Sequence, residues 1–463
     1  EVRSGGLLFY NYANSGVFTG KYNIAPGTSA SVASGGLAMY VDVSSISQIN
    51  TMVTGLQSAF TGAGNLQLSM AAGSSLLYVN GVSGAADISD FAGLNDLTTI
   101  FNLGASSGYN QYVMKGVELA LNNTAESNLD SGSYGKIQFL DSNITVNNGI
   151  TVSGPTLAKQ YVAIAQKNTP SGTLAGRYIT NNGTISLAGT GSTAIAGDYI
   201  TMKNSASGKI TLGASSVGIY TANGSKALNE GLIELGTGSV GMYGRNYFDG
   251  VNASSVLGYG NDTIDITNDK DIKTVSGGVT GNVTGIYTNN VLALANSSVN
   301  LTSASNIDLK GTGNIIGVFA GKTNLTSAGT IKAESASGGS SIGIYGDEST
   351  STSITGSIEV TGGSGTGIYL KNSSMSSGAT VKVADVTSGI GMYVEATTTA
   401  STGTNTGTIS LGDNVTGMYG SGASTVNTGT ITNIGTIQSL TTSADDAIGM
   451  YIGSNGIGNN SGN

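Results

Sequence analysis

The tripeptide Gly218-Ile219-Tyr220 returns as Gly241-Met242-Tyr243, Gly285-Ile286-Tyr287, Gly317-Val318-Phe319, Gly343-Ile344-Tyr345, Gly367-Ile368-Tyr369, Gly391-Met392-Tyr393, Gly417-Met418-Tyr419 and Gly449-Met450-Tyr451. The steps between successive aromatics are 23, 44, 32, 26, 24, 24, 26 and 32 residues. Periods of this size mark a solenoid, in which each repeat is one supersecondary unit stacked on its neighbours. A second signature, Ile or Val, any residue, then Leu, Val or Ile, runs between the copies. It reads Ile185/Leu187, Ile210/Leu212, Ile233/Leu235, Ile264/Ile266, Ile307/Leu309, Ile358/Val360, Val381/Val383 and Ile409/Leu411. Each period therefore holds at least two short strands with two-residue alternation, which predicts an all-β, parallel β-helix. A leucine-rich repeat needs a fixed Leu-x-x-Leu-x-Leu frame, which is absent.

A third strand precedes the Ile-x-Leu strand and ends in an Asn or Thr corner before a Gly, as in Leu228-Asn229-Glu230-Gly231, Asn405-Thr406-Gly407 and Val426-Asn427-Thr428-Gly429. Asn at one corner of successive turns is expected to stack as a hydrogen-bonded ladder. Alternation also assigns faces. In Ile342-Gly343-Ile344-Tyr345, Ile390-Gly391-Met392-Tyr393-Val394 and Ile448-Gly449-Met450-Tyr451-Ile452 it sends the aliphatic residues to the core and points Gly and Tyr outward together. The tyrosines then form an external column. One reading makes it an aromatic ladder that stabilises the sheet; the other makes it a sugar-stacking or protein-binding stripe.

Residues 1–175 use the same strand vocabulary without the rhythm and are expected to form an irregular part with helical insertions or a cap; 176–463 carry the regular repeats. Leu7 to Tyr10, Leu37 to Val41, Leu76 to Val79 and Ile137 to Val146 read as strands. Ser44 to Phe60, Asp90 to Phe101 and Thr156 to Lys167 place apolar residues at three-to-four spacing and are predicted helical. Gly176-Arg177-Tyr178 and Gly197-Asp198-Tyr199 look like forerunners of the aromatic repeat.

Composition supports this architecture. The 463 residues include 73 Gly and only 3 Pro, and a β-helix uses Gly, Asn and Asp at turns that need positive φ. The net charge is −9 and 10% of residues are charged, so no basic stripe offers itself to nucleic acid. Cysteine is absent, which excludes disulfides and thiolate metal sites and suits export in an unfolded state. No apolar run approaches the ~18 residues of a membrane span. The chain begins at Glu1 without a signal-like segment and ends within the repeat pattern, so we expect it to be a piece of a longer protein.

With no histidine or cysteine, Ser-His-Asp and Cys-His catalysis are excluded, as are the usual zinc sites. Paired carboxylates are the remaining route to acid–base chemistry. The densest acidic cluster is Asp262, Asp265, Asp269 and Asp271, with a smaller one at Asp445 and Asp446; Asp262 and Asp265 are expected on opposite faces. We expect no enzyme activity, no metal and no cofactor. Gly258-Tyr259-Gly260-Asn261-Asp262-Thr263-Ile264 fits most of a calcium-binding nonapeptide, but calcium there is shared between consecutive copies and this one stands alone. The better pointer is the insertion Gly244-Arg245-Asn246-Tyr247-Phe248-Asp249-Gly250, which gathers an Arg and two aromatics in a charge-poor chain. Arg and aromatics anchor interfaces, so Arg245, Tyr247, Phe248 and Asp249 are the candidate binding residues; a packed loop is the alternative.

The cadence of Gly-Ile/Met-Tyr, Asn-x-Gly corner and Gly-Thr-Ile-x-Leu, with Glu1-Val2-Arg3-Ser4-Gly5-Gly6-Leu7-Leu8-Phe9-Tyr10 at the start, resembles the passengers of large fusobacterial type Va autotransporter adhesins. That resemblance implies a type V secreted passenger, displayed at the bacterial cell surface or released, whose membrane attachment is a C-terminal outer-membrane barrel absent from this stretch. It implies host-cell receptors or glycans and surface proteins of other bacteria as partners, for attachment and coaggregation. It transfers no binding residue onto this chain. A structural stalk holding a tip elsewhere is the alternative, and a polysaccharide-processing β-helix the third.

Overall fold

The structure is a computed structural model and describes residues 3–12, 22–42, 60–61, 66–71, 74–80, 85–87, 102–103, 110–116, 118–121, 137–154, 162–168, 176–246, 263–290, 297–336, 338–441 and 445–463. Among these residues every secondary-structure element is a β-strand and every paired strand is parallel. The fold is a parallel β-helix. None of the described residues forms a helix long and apolar enough to cross a membrane. The chain divides into two units, Glu1–Thr201 and Met202–Asn463.

In the second unit each turn contributes one strand to each of three sheets. A representative turn runs Ser357–Thr361, Ser364–Lys371, Ser374–Ser377, and each strand pairs in register with its counterparts one turn away. The first sheet is built from the Ile-x-Leu strands, the second from the aromatic strands and the third from the strands ending at the Asn corner. Ile233, Leu235, Ile307, Leu309, Val360 and Val383 are fully buried. They share the interior with Ile219, Met242, Ile286, Val318, Ile344 and Met392 from the aromatic sheet. Ile264/Ile266 is misassigned by the sequence pattern: Ile266 lies in Asp265–Asn268, paired with Ala227 and Val299 in the Asn sheet, and the Ile-x-Leu position of that turn is Ile272.

The glycines do not face outward with the tyrosines. Gly343 and Ile344 are consecutive buried residues, whereas Ile342 and Tyr345 on either side are half-buried. The strand thus changes phase at the glycine, so Ile342 and Ile390 lie on the outer face, contrary to strict alternation. The reason is steric. A Cβ on Gly343 would lie 2.3 Å from Ile358 Cγ2 and 2.6 Å from the Gly367 carbonyl oxygen. On Gly367 it would meet Val381 Cγ1 at 2.4 Å and the Gly391 oxygen at 2.5 Å, and on Gly391 the Ile409 Cγ2 at 2.4 Å and the Gly417 oxygen at 2.5 Å. The glycine column and the β-branched column of the Ile-x-Leu sheet are therefore two halves of one contact.

Polar columns close the corners. At the end of the Asn sheet, Asn204 Nδ2 donates to Asn229 Oδ1 at 2.8 Å, Asn229 Nδ2 to Asn268 Oδ1 at 2.8 Å, and Asn268 Nδ2 to Ser305 Oγ at 2.6 Å. After turns that place Leu301, Ser327, Ile354 and Ser377 in this column, the ladder resumes. Asn405 Nδ2 donates to Asn433 Oδ1 at 2.8 Å and Asn433 Nδ2 to Asn460 Oδ1 at 2.9 Å. The expected ladder is real, but Asn427 is no part of it. Val426 is 81% exposed in a bend, and Asn433 holds the position. Between the aromatic and Asn sheets a second column forms, in which backbone N–H groups donate to the next turn's side chain. Ser349 N donates to Ser373 Oγ at 2.9 Å and Ser373 N to Ser401 Oγ at 3.1 Å. Lys322, Glu348 and Asn372 take positive φ just before this column, at a corner where turn chemistry favours Gly or Asn. Each donates its N–H to the next turn, to the carbonyl oxygens of Asp347, Lys371 and Glu395.

The first unit is built on the same plan. Leu7–Tyr12, Leu37–Asp42, Ser75–Asn80, Asn110–Lys115, Ile137–Leu140, Val162–Lys167 and Thr193–Asp198 follow one another in one parallel sheet. Ile137 to Val146 is two strands, not one, separated at Asp141, which has φ 46°. Val162–Lys167 is a strand where a helix is predicted. Ile164 and Gln166 are buried with half-buried Ala165 between them, so the two-residue period wins once neighbouring strands supply hydrogen bonds. Ser44 to Phe60 lies outside the described residues except Phe60, which begins the short strand Phe60–Thr61. Asp90 to Phe101 lies outside them entirely. The supposed forerunners fail too: Tyr178 opens an Asn-sheet strand, and Tyr199 sits at a turn with φ 56°.

Candidate functional site

The most distinctive surface is the outer face of the aromatic sheet in the second unit. Because the glycine resets the phase, the residue before the glycine and the aromatic face outward, and so does the residue two beyond the aromatic except where it is the buried Ala222 or Gly321. Tyr220, Tyr243, Tyr287, Phe319, Tyr345, Tyr369, Tyr393, Tyr419 and Tyr451 are in register, with neighbouring ring centroids 4.6–5.3 Å apart. Most pairs are stacked or tilted; Tyr345 and Tyr369 meet at 61°. Such contacts add ~0.5–1.5 kcal/mol per pair beyond burial. Stacked rings fill one another's faces, so the column offers ring edges and hydroxyls to solvent. That geometry argues against sugar rings stacking along it.

The column two residues beyond the aromatics carries the charge. In register it reads Arg245, Asn289, Gly321, Asp347, Lys371 and Glu395. Tyr369 Oη donates to Glu395 Oε2. Burial, that hydrogen bond and the Glu395 charge all hold the Tyr369 phenol above its ordinary value. Burial, with Asp347 and Glu395, pushes Tyr345 up to about 12. Burial likewise raises the Asp347 carboxyl, with Lys371 opposing it. The tyrosine-plus-two position was readable from alternation, and the sequence pattern alone did not draw attention to it. In the first unit, Tyr40 and Tyr78 make the same stack at 5.2 Å beside Asp42, which accepts from Tyr40 Oη at 3.1 Å and Asn80 Nδ2 at 2.7 Å.

The Ile-x-Leu sheet shows a different outer face. Glu234, Lys273, Asp308, Lys332, Glu359 and Lys382 occupy one column of successive turns in alternating sign. Lys209 Nζ lies 2.7 Å from Glu234, and Lys382 Nζ 2.7 Å from Glu359. The Glu359 hydrogen bond and charge raise the Lys382 ammonium above its ordinary value.

Of the predicted binding residues, Arg245 is exposed at the end of Val240–Arg245 and belongs to the charged column. Tyr247, Phe248 and Asp249 lie outside the described residues. In the acidic cluster, Asp262 is also outside them. Asp265 faces Lys226 Nζ at 3.6 Å and accepts from Ser298 Oγ at 2.8 Å; Asp269 accepts from Thr302 Oγ1, and Asp271 from Asn306 Nδ2 at 3.4 Å. These three carboxylates are cross-turn partners on the outer surface. Asp445 and Asp446 are exposed at a turn, where Asp445 N donates to Asp413 Oδ1 at 3.2 Å. Of the single nonapeptide only Thr263 and Ile264 are described, and Ile264 is buried. No group of three or more metal-ligating side chains occurs among the described residues. An open cleft of about 390 Å³ lies at the last turn, lined by Ile437, Met450 and Ile452. No known family model, curated protein or solved structure matches the chain.

Proposed function

We propose that this chain is a β-helical passenger segment of a type V secreted, cell-surface adhesin, serving attachment to host cells or coaggregation with other bacteria. The observation that supports the reading best is the division of labour within each turn. The interior glycine and aliphatic columns repeat with little variation and the Asn ladder recurs in two stretches, while the outward columns and the insertion after Arg245 differ from turn to turn. A scaffold that repeats its inside and varies its outside is suited to presenting contacts along its length. Host receptors, glycans and surface proteins of other bacteria are the partner classes. Of the four proposed contact residues Arg245 is the one described, with Tyr247, Phe248 and Asp249 following it in sequence. A stalk that carries a tip elsewhere is the second reading, favoured by the in-register aromatic and Asn ladders, which stiffen without recognising anything.

The test is binding of the purified 1–463 fragment to epithelial cells and to streptococci, with galactose and arginine as separate competitors. Saturable binding abolished by one competitor and weakened at least tenfold in Arg245→Ala supports the adhesin reading. A folded fragment that binds neither cell type overturns it in favour of the stalk.

A further inference from the structure

We propose that the outer face of the aromatic sheet is a self-complementary docking surface for a second copy of this chain, the two copies running antiparallel about a twofold axis between the turns of Phe319 and Tyr345. The inference is independent of the adhesin reading.

A twofold, isologous contact requires a surface that matches itself after reversal. If the axis lies in the interface along the strand direction, each column meets its own reverse. In the charged column Arg245 then opposes Glu395, Asn289 opposes Lys371, and Gly321 opposes Asp347. The one full charge in the first half meets the opposite charge in the second, and Asp347 meets a glycine with no side chain to exclude it. The column before the glycines reads Val240, Thr284, Ile316, then Ile342, Thr366, Ile390. Reversal pairs Ile316 with Ile342, Thr284 with Thr366 and Val240 with Ile390, which is like with like at every step. In the aromatic column Phe319, which lacks a hydroxyl, sits beside the axis and opposes Tyr345, so each of the two central pairs brings together one phenol and not two. Among the described residues Arg245 has no ion pair of its own, so the contact would supply one.

The charged column of the Ile-x-Leu sheet also reverses onto the opposite sign, but its ends are already paired within the chain at 2.7 Å. It therefore has less to gain from a partner. Six turns at ~4.8 Å by five residues at ~3.3 Å give a footprint of ~475 Å² per copy. That is below a standard stable interface and in the range of weak, transient association.

Sedimentation velocity of the 1–463 fragment over rising concentration is the experiment. The expected result is a reversible dimer that Arg245→Glu alone or Glu395→Arg alone weakens at least tenfold, and that the double swap Arg245→Glu/Glu395→Arg restores to within threefold. Orientation is read from single cysteines, since the chain has none of its own. Asn289→Cys mixed with Lys371→Cys should give a mixed disulfide dimer, and neither variant alone should. A fragment that stays monomeric at every concentration overturns the proposal. So does a dimer indifferent to the charge swaps, or a pair of variants that each cross-link with themselves.

Discussion

At the scale of single residues, the glycine of each aromatic strand matters through the side chain it lacks. None of the column glycines from Gly218 to Gly417 has positive φ, so their requirement is space and not backbone freedom. Gly367→Ala drives a methyl into Val381 and the Gly391 carbonyl and is expected to lose ~1–3 kcal/mol by overpacking. Gly449→Ala, at the same position in the last turn, meets nothing within 4 Å and should be neutral within ~0.5 kcal/mol. Urea unfolding of the two variants side by side checks this; equal losses would mean the penalty is not steric. Met418 and Tyr419 give a second contrast. Met418 is fully buried and Tyr419 lies between rings at 4.8 and 5.2 Å on the outside. Met418→Asp buries a charge and should cost ~4 kcal/mol or more. Tyr419→Ser forfeits two ring contacts and should cost ~1–3 kcal/mol. The inward position of the Met and the outward position of the Tyr were legible from alternation. The phase change between Ile390 and Met392 was not, because nothing in the sequence signals that two consecutive residues point inward when one has no side chain.

At the scale of the element, the corner ladders depend on both neighbours. Asn229 accepts from Asn204 and donates to Asn268, all three being buried. Asn229→Leu removes the bond that Asn229 accepts from Asn204 and the one it donates to Asn268, both in a buried column, and is expected to cost ~2–4 kcal/mol. Replacing Asn204, Asn229 and Asn268 together by Leu should cost clearly less than three times that, because Leu301 and Ile354 already occupy this column in turns where the ladder is interrupted. Thermal unfolding of the single and triple variants decides it; strict additivity would show that each Asn acts alone. The Asn corner was visible in sequence at Asn229 and Asn405. It was misread at Asn427, where the same Asn-Thr-Gly spelling falls on an exposed bend. Three residues do not record whether the strand before them is there. Val162–Lys167 shows the same blindness: Val162, Ile164 and Gln166 fit a two-residue period as well as their surroundings fit a helical one, and only pairing with the strands on either side decides.

At the scale of the whole molecule, the tyrosine column makes alkali the expected route to loss of structure. Tyr287, Tyr345, Tyr369 and Tyr393 all hold their protons more tightly folded than unfolded, burial being the largest cause in each. A raised folded value means that the stability is intact below the ordinary tyrosine range near 10. It falls as pH climbs from there through the folded value, which for Tyr345 is about 12. The melting temperature should therefore decline steeply between about pH 10 and 12. Phenolate absorbance of the folded chain should lag behind that of the urea-unfolded chain, and Tyr345→Phe should soften the decline. Coincident titration curves for folded and unfolded chain would sink the idea. The regular repeats made the solenoid class readable over the second unit, since each turn restates the same pattern. In the first unit the pattern is spelled differently, with Leu76-Leu77-Tyr78 and Ala38-Met39-Tyr40 in place of glycine-aliphatic-tyrosine, and Tyr40 and Tyr78 went unrecognised as the same column.

The alternating charges of the Ile-x-Leu sheet set a rule for how a gene of this kind can change length. Recombination between repeats removes or adds whole turns in frame, and glycine, aliphatic and aromatic positions survive any such event. The charges do not. Loss of the 24 residues from Gly346 to Tyr369 would excise Glu359 and bring Lys332 against Lys382. Loss of the two turns from Ala320 to Tyr369 would instead remove Lys332 and Glu359 together and set Asp308 against Lys382, opposite in sign. Along this stretch a change of one turn sets like charges against each other, and a change of two turns keeps the alternation.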